Sequence, residues 1–279
     1  MSKLNKILLY GLCTTIFVLI NGCGPKYNFN KAKKLEQKEY YVQAIEKYIY
    51  VSEKFPESEY APEAVYNAGR IYQKNLKIYN EAVKLYSELI YKYPSQQQWV
   101  KLAKIGIFES PDYFPLKDGY VWVEGDSDTL GKNMRVEYYC TQISSFTYSI
   151  KKRYYAGNKI VTELKRYYTK EDYELREMIN MDSVSYTVLL SYPFEKMKSW
   201  ITTRDNRKLK LTIVSDSVSV ITKAGKFDNC IKIREESIDY PGAYKYEYYA
   251  PDIGHVLTTI GTAKSEVEHR NIELISYKF

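Results

Sequence analysis

The stretch Ala44-Ile45-Glu46-Lys47-Tyr48-Ile49-Tyr50-Val51-Ser52-Glu53-Lys54-Phe55-Pro56 returns 38 residues later as Ala82-Val83-Lys84-Leu85-Tyr86-Ser87-Glu88-Leu89-Ile90-Tyr91-Lys92-Tyr93-Pro94. Alanine, the aromatic four residues on and the aliphatic three further share one face of a helix. The small alanine lets a second helix approach. Proline ends each copy, because it has no amide donor and clashes with the preceding turn. An internal repeat at this spacing predicts a stack of helix pairs in which each pair covers its neighbour.

Working outward, Ala32 and Leu35 take the small and large inward positions of a preceding helix, and Gly69 and Tyr72 take them in the next copy. A longer turn is expected around Leu76–Asn80. Trp99, Leu102 and Ala103 open a third, unpaired helix that caps the stack. This pattern resembles the tetratricopeptide repeat, and the resemblance implies a repeat region over 29–110. Ala44, Tyr48, Ala82 and Tyr86 then read as packing residues. A partner-binding surface would fall on first-helix residues such as Tyr66, Arg70 and Gln73.

The leader sets the compartment. Lys3 and Lys6 precede Ile7–Ile20, an uncharged apolar run shorter than the ~20 residues a membrane-crossing helix needs. The run ends in Leu19-Ile20-Asn21-Gly22-Cys23, which resembles the bacterial lipobox, with Asn21 where alanine or serine is usual. The resemblance implies a signal peptide over 1–22, cleavage before Cys23, acylation of its sulfur, and a short linker over 23–28. Several acyl chains are needed because each buried methylene contributes only about 0.8 kcal/mol. Gly24, where an inner-membrane protein often has Asp, favours an outer membrane facing the periplasm. Lipobox, short spacer and repeats together look like the outer-membrane assembly lipoproteins of the BamD type, although this chain has fewer repeats.

Composition changes at Ser110-Pro111. From there β-branched and aromatic residues alternate with polar ones, and strands are expected at 135–140, 144–150, 159–167, 183–190, 208–214, 217–222, 229–237, 244–250, 255–262 and 266–277. Ala156-Gly157-Asn158, Ser215-Asp216 and Pro241-Gly242 read as turns, and Lys170–Met178 as a helix or turn. Short connections predict antiparallel pairing. The fold class is therefore α+β: tetratricopeptide-type α-hairpins followed by a curved antiparallel sheet or half-barrel over 111–279. Phe114-Pro115 with Trp122, and Tyr192-Pro193 with Trp200, repeat one pattern and raise either two similar halves or one shared local turn. Pro193–Trp200, Ala224-Gly225-Lys226-Phe227-Asp228-Asn229-Cys230 and Tyr249-Ala250-Pro251-Asp252-Ile253-Gly254 resemble an uncharacterised domain of bacterial envelope lipoproteins, for which no activity is implied.

The chain carries +7 formal charge and 31 tyrosines in 279 residues. Its basic residues are dispersed, which excludes a nucleic-acid patch. Of the cysteines left after Cys13 and Cys23, Cys140 and Cys230 either pair in an oxidising envelope or sit apart as small apolar side chains. No metal-ligand spacing, phosphate-cradling loop or nucleophile motif occurs. The expectation is a non-catalytic, membrane-anchored protein without cofactor, whose repeats bind an envelope protein. A lipid or lipopeptide carrier holding a small apolar ligand in the β region, and an envelope enzyme, are the alternatives.

Overall fold

A computed structural model describes residues 24–262 and 265–278. The leader and Cys23 lie outside the described residues. The chain divides into two compact units, the first ending at Ser110 and the second beginning at Pro111. Among the described residues no helix is long and apolar enough to cross a membrane.

The first unit is helical: α1 (Pro25–Gln37), α2 (Tyr41–Lys54), α3 (Ala61–Arg70), α4 (Tyr79–Lys92) and α5 (Gln97–Phe108). Helices next to one another in sequence pack together. Pro25 and Pro62 sit in first turns, where a missing amide costs nothing. Pro56 and Pro94 follow the ends of α2 and α4. Ala44, Tyr48, Val51, Ala82, Tyr86 and Leu89, the repeated positions, are all fully buried.

Their polar ends are matched as well. The Tyr48 hydroxyl donates to Glu36 Oε2 at 2.9 Å, and the Tyr86 hydroxyl donates to Gln73 Oε1 at 2.9 Å. The acceptors are one residue closer in spacing than the tyrosines. The second copy accommodates its extra residue in a π-helical turn, Ile71–Leu76, that continues α3 and closes on Lys77 in the left-handed region. Gly69 and Gly106 flank the Tyr86 ring. A Cβ on either would stand 2.9 or 2.4 Å from a ring carbon, so only glycine permits this approach.

The second unit is one antiparallel sheet with twelve described strands: β1 (Val121–Asp126), β2 (Met134–Gln142), β3 (Thr147–Ala156), β4 (Lys159–Glu171), β5 (Glu174–Met178), β6 (Thr187–Ser191), β7 (Ser199–Arg204), β8 (Arg207–Thr222), β9 (Gly225–Ser237), β10 (Ala243–Ala250), β11 (Gly254–Thr262) and β12 (Ser265–Lys278). The order is β6-β5-β4-β3-β2-β1-β12-β11-β10-β9-β8-β7. Each half is a six-strand meander, and the first strand of one half pairs with the last strand of the other at β1–β12. The outer strands β6 and β7 meet through side chains. The Val188 amide donates to Thr202 Oγ1 (2.8 Å), Trp200 Nε1 to Val188 O (3.1 Å), and Thr187 Oγ1 to Thr203 O (2.8 Å). The sheet is thus a nearly closed barrel, more closed than the curved sheet or half-barrel expected. Trp122 and Trp200 occupy the second position of the first strand in each half, where the repeated Pro…Trp pattern put them.

Two local readings differ in detail. Of the helix or turn expected at Lys170–Met178 the structure has the turn: Asp172 and Tyr173, at φ 48° and 66°, close the β4–β5 hairpin, and the residues on either side are strand. Left-handed residues suit the twist of a two-residue hairpin, and here neither is glycine, so the usual turn signal is missing. Ser215-Asp216 does not break the chain: β8 runs through it, and register shifts around Ser215 absorb the extra residues as bulges.

Candidate functional site: the polar interior of the barrel

Strand pairing decides what faces inward. On β10, Lys245, Glu247 and Tyr249 alternate with Tyr246 and Tyr248. Lys245 lies opposite Glu235 of β9, and Glu247 lies opposite Ile233 of β9 and Thr258 of β11. On β3 and β4, Ile150, Lys152 and Tyr154 share a face with Leu164, Arg166 and Tyr168. These side chains, with Trp122, Glu124 and Tyr138 from β1 and β2 and His255 from β11, surround a cavity of about 430 Å³. That is a common size for a small-ligand site. Leu211 and Ile213 of β8 and Ile231 and Ile233 of β9 supply apolar packing beside it.

Four carboxylates of this interior each have a cationic partner. Glu124 Oε1 lies 2.8 Å from His255 Nδ1, and its other oxygen accepts from the Tyr138 hydroxyl at 2.7 Å. Glu177 accepts from Lys152 at 2.9 Å and from the Tyr168 hydroxyl. Glu247 accepts from Lys245 at 2.5 Å and from the Tyr249 hydroxyl at 2.6 Å. Glu235 accepts from Arg204 at 2.8 Å and lies 3.2 Å from Lys245. Buried charges persist only with such partners.

The titrations follow. Burial opposes charge on His255, but Glu124 and then Glu247 outweigh it, and the imidazole pKa is raised. Burial would lift the Glu247 carboxyl, yet Lys245, His255 and Arg204 hold it well below the usual carboxylate range. Glu177 is lowered in the same way, burial being overcome by Lys152 and the Tyr168 hydroxyl. The Tyr138, Tyr168 and Tyr249 hydroxyls are pushed up, first by burial and then by the carboxylate each one serves.

His255 Nε2 also lies 3.0 Å from Thr258 Oγ1, which completes a Glu124–His255–Thr258 chain. The outline is that of an acid–base–nucleophile array. Glu124 and then Glu247 favour charge on the His255 ring against its burial.

The residues named from the sequence lie elsewhere. Gln73 is buried, with its amide committed to Gly106 O (3.1 Å), Glu109 O (2.8 Å) and the Tyr86 hydroxyl, so it is not a partner-facing residue. A buried amide has to satisfy its hydrogen bonds internally. Arg70 pairs with Glu36, and Tyr66 packs its ring on Tyr86 and Trp99. Cys140 and Cys230 are free, buried thiols, both pushed up to about 11 by burial. They form no bridge: β2 and β9 stand five positions apart in the sheet. Cys23 lies outside the described residues.

The interior charges escape a sequence reading because nearly all are single Lys, Arg or Glu residues within strands, a pattern that solvent-facing positions share. A signal existed in Tyr244-Lys245-Tyr246-Glu247-Tyr248-Tyr249, where neither alternating face is aliphatic. The outer face of that strand explains part of the tyrosine content: Lys232 Nζ sits 3.9 Å from the Tyr246 ring centre, and the Tyr248 hydroxyl donates to Glu268 at 2.8 Å.

Fold and site together define an α+β chain whose β unit is a nearly closed antiparallel barrel around a charged, aromatic-lined cavity. No protein family matches the chain. No curated protein matches it. Among solved structures, one described as a putative lipoprotein from Parabacteroides distasonis ATCC 8503 is 18% identical, with a TM-score of 0.40 over 60% of this chain and 98% of that one. At that level the likeness defines neither a fold nor a function.

Proposed function

We propose that this protein is a non-catalytic envelope lipoprotein, tethered through Cys23, whose barrel is a receptacle for a small polar ligand and whose helical unit docks an envelope protein in the manner of tetratricopeptide repeats. The observation that carries the receptacle reading is the cavity of about 430 Å³ lined by Lys152, Arg166, Glu177, Arg204, Lys245, Glu247 and His255. The tether reading rests on the short apolar leader and the lipobox-like Leu19–Cys23, and Gly24 after that cysteine favours an outer membrane facing the periplasm as the site of residence. The docking reading rests on the buried repeat positions and concerns the exposed faces of the helical unit, since Gln73 is spent internally.

An apolar cargo fits the same cavity poorly. An acyl chain would strip water from ionised side chains without replacing it, at a cost of several kcal/mol per group. Native mass spectrometry of the protein purified from its own membranes tests the reading. A diacylglycerol-modified Cys23 terminus and a small polar adduct that leaves on denaturation are expected. An unmodified Met1 terminus would overturn the tether, and a bound phospholipid would overturn the polar receptacle.

A further inference from the structure

The four interior carboxylates Glu124, Glu177, Glu235 and Glu247 are matched by His255, Lys152, Arg204 and Lys245. A fifth cation, Arg166, also lines the cavity. It stands on β4 opposite Ile150 of β3, between Leu164 and Tyr168 on the inward-facing side. Among the described residues its hydrogen bonding consists of one contact, Nη1 to the neighbouring Lys165 O at 3.1 Å. A guanidinium carries five donors in a planar fork, so most of this one is uncommitted. Tyr154, on the same hairpin and also on the cavity wall, has a hydroxyl with no protein partner among the described residues. Asp205 reaches the cavity from the exposed β7–β8 turn and makes no ion pair among the described residues.

We infer that Arg166 is the anchor of an anion subsite, and that the barrel takes a small polyhydroxylated organic anion of sugar-acid or sugar-phosphate size. This rests on the receptacle reading and deepens it. A carboxylate or phosphate oxyanion matches the guanidinium fork bidentately, which a lysine could not do. Lys152, already held by Glu177, adds positive potential two positions along the neighbouring strand. Hydroxyl groups suit the rest of the wall, because they donate to the Glu177 and Glu247 oxygens and accept from Lys245 and the Tyr154 hydroxyl. A neutral ligand would leave the Arg166 fork facing water, and an aliphatic one would desolvate it.

Calorimetric titration of the full mature chain with glucuronate, glucose 6-phosphate, inorganic phosphate and glucose tests this. Glucuronate or glucose 6-phosphate is expected to bind more tightly than glucose. Arg166→Gln should weaken that binding about ten- to hundredfold, as loss of a charge-assisted pair does. Arg166→Lys should recover only part of it, and Lys165→Gln, on the opposite face of β4, should leave it unchanged. The Arg166 side chain is held by one bond to a neighbouring carbonyl, so unchanged thermal melting of the variant will confirm that the fold is intact. Preference for glucuronate over phosphate alone identifies a carboxylate site, and the reverse identifies a phosphate site. Equal binding of glucose and glucuronate, or anion binding indifferent to Arg166→Gln, sinks the anion subsite while leaving the receptacle standing. Failure of every probe, together with no polar adduct in the native protein, overturns both.

Discussion

Asp112 and Lys170 form the most deeply buried ion pair described, with side chains 9% and 6% exposed and Lys170 Nζ 2.8 and 2.7 Å from the two carboxylate oxygens. Asp112 also accepts from the Phe114 amide at 3.0 Å, and its carbonyl accepts from the Asp252 amide at 2.7 Å. The pair therefore ties the segment leading into β1 to β4 and to the β10–β11 turn. Lys170→Met removes the cation from a buried carboxylate that keeps the Phe114 amide as a donor. Breaking a buried pair from one side costs about 3–5 kcal/mol. For a unit of this size that corresponds to a melting decrease of roughly 6–20 °C. The double change Asp112→Leu with Lys170→Met removes both charges and should recover most of the loss, since apolar replacement of a whole pair is often neutral. Trp99→Phe leaves Trp122 and Trp200 as fluorophores, both in the barrel unit, so urea unfolding followed by fluorescence reads that unit alone. A single-substitution cost below about 1 kcal/mol, or a double variant as unstable as Lys170→Met, would refute the reasoning.

Three other outcomes are expected. Gly106→Ala places a methyl where it meets the Tyr86 ring, which Gly69 blocks on its other side. It should destabilise the helical unit by about 1–3 kcal/mol in far-UV denaturation, and an unaltered midpoint would contradict the packing described. His255, whose pKa is raised, contributes stability that is complete below about pH 6.5 and is lost as pH rises through its folded value. Glu177 and Glu247, whose pKa values are lowered, contribute stability present above about pH 4.3 and lost as pH falls. In an NMR titration Glu124→Gln should move the His255 midpoint down, and an unmoved midpoint would deny the pair. Cys140 and Cys230 should resist iodoacetamide at neutral pH until the protein is unfolded, because burial holds both thiols near 11; rapid labelling of the folded chain would show otherwise.

The helical unit was largely legible in sequence, because alanine and tyrosine at a fixed spacing carry their packing with them: Tyr48 and Tyr86 are buried at equivalent places. What blurred the repeat was one residue, absorbed by the π-helical turn after Arg70. Most strands were legible from alternation. Closure was not legible. It depends on Thr202 and Trp200 reaching the backbone of Val188, a contact with no sequence period. The interior charges were hidden for a related reason. Glu124 and His255 are 131 residues apart, and nothing local to either one announces the other. Inward-facing polar residues also look like solvent-facing ones until the direction of curvature is known.

The most direct test of a charged interior that holds a polar anion is a crystal structure of the protein soaked with glucuronate. The account predicts the carboxylate seated on Arg166 inside the barrel, with the pairs of Glu124 to His255 and Glu247 to Lys245 intact around it. An interior filled by an acyl chain, or an anion bound only on the outer surface with Arg166 turned away from the cavity, would contradict it.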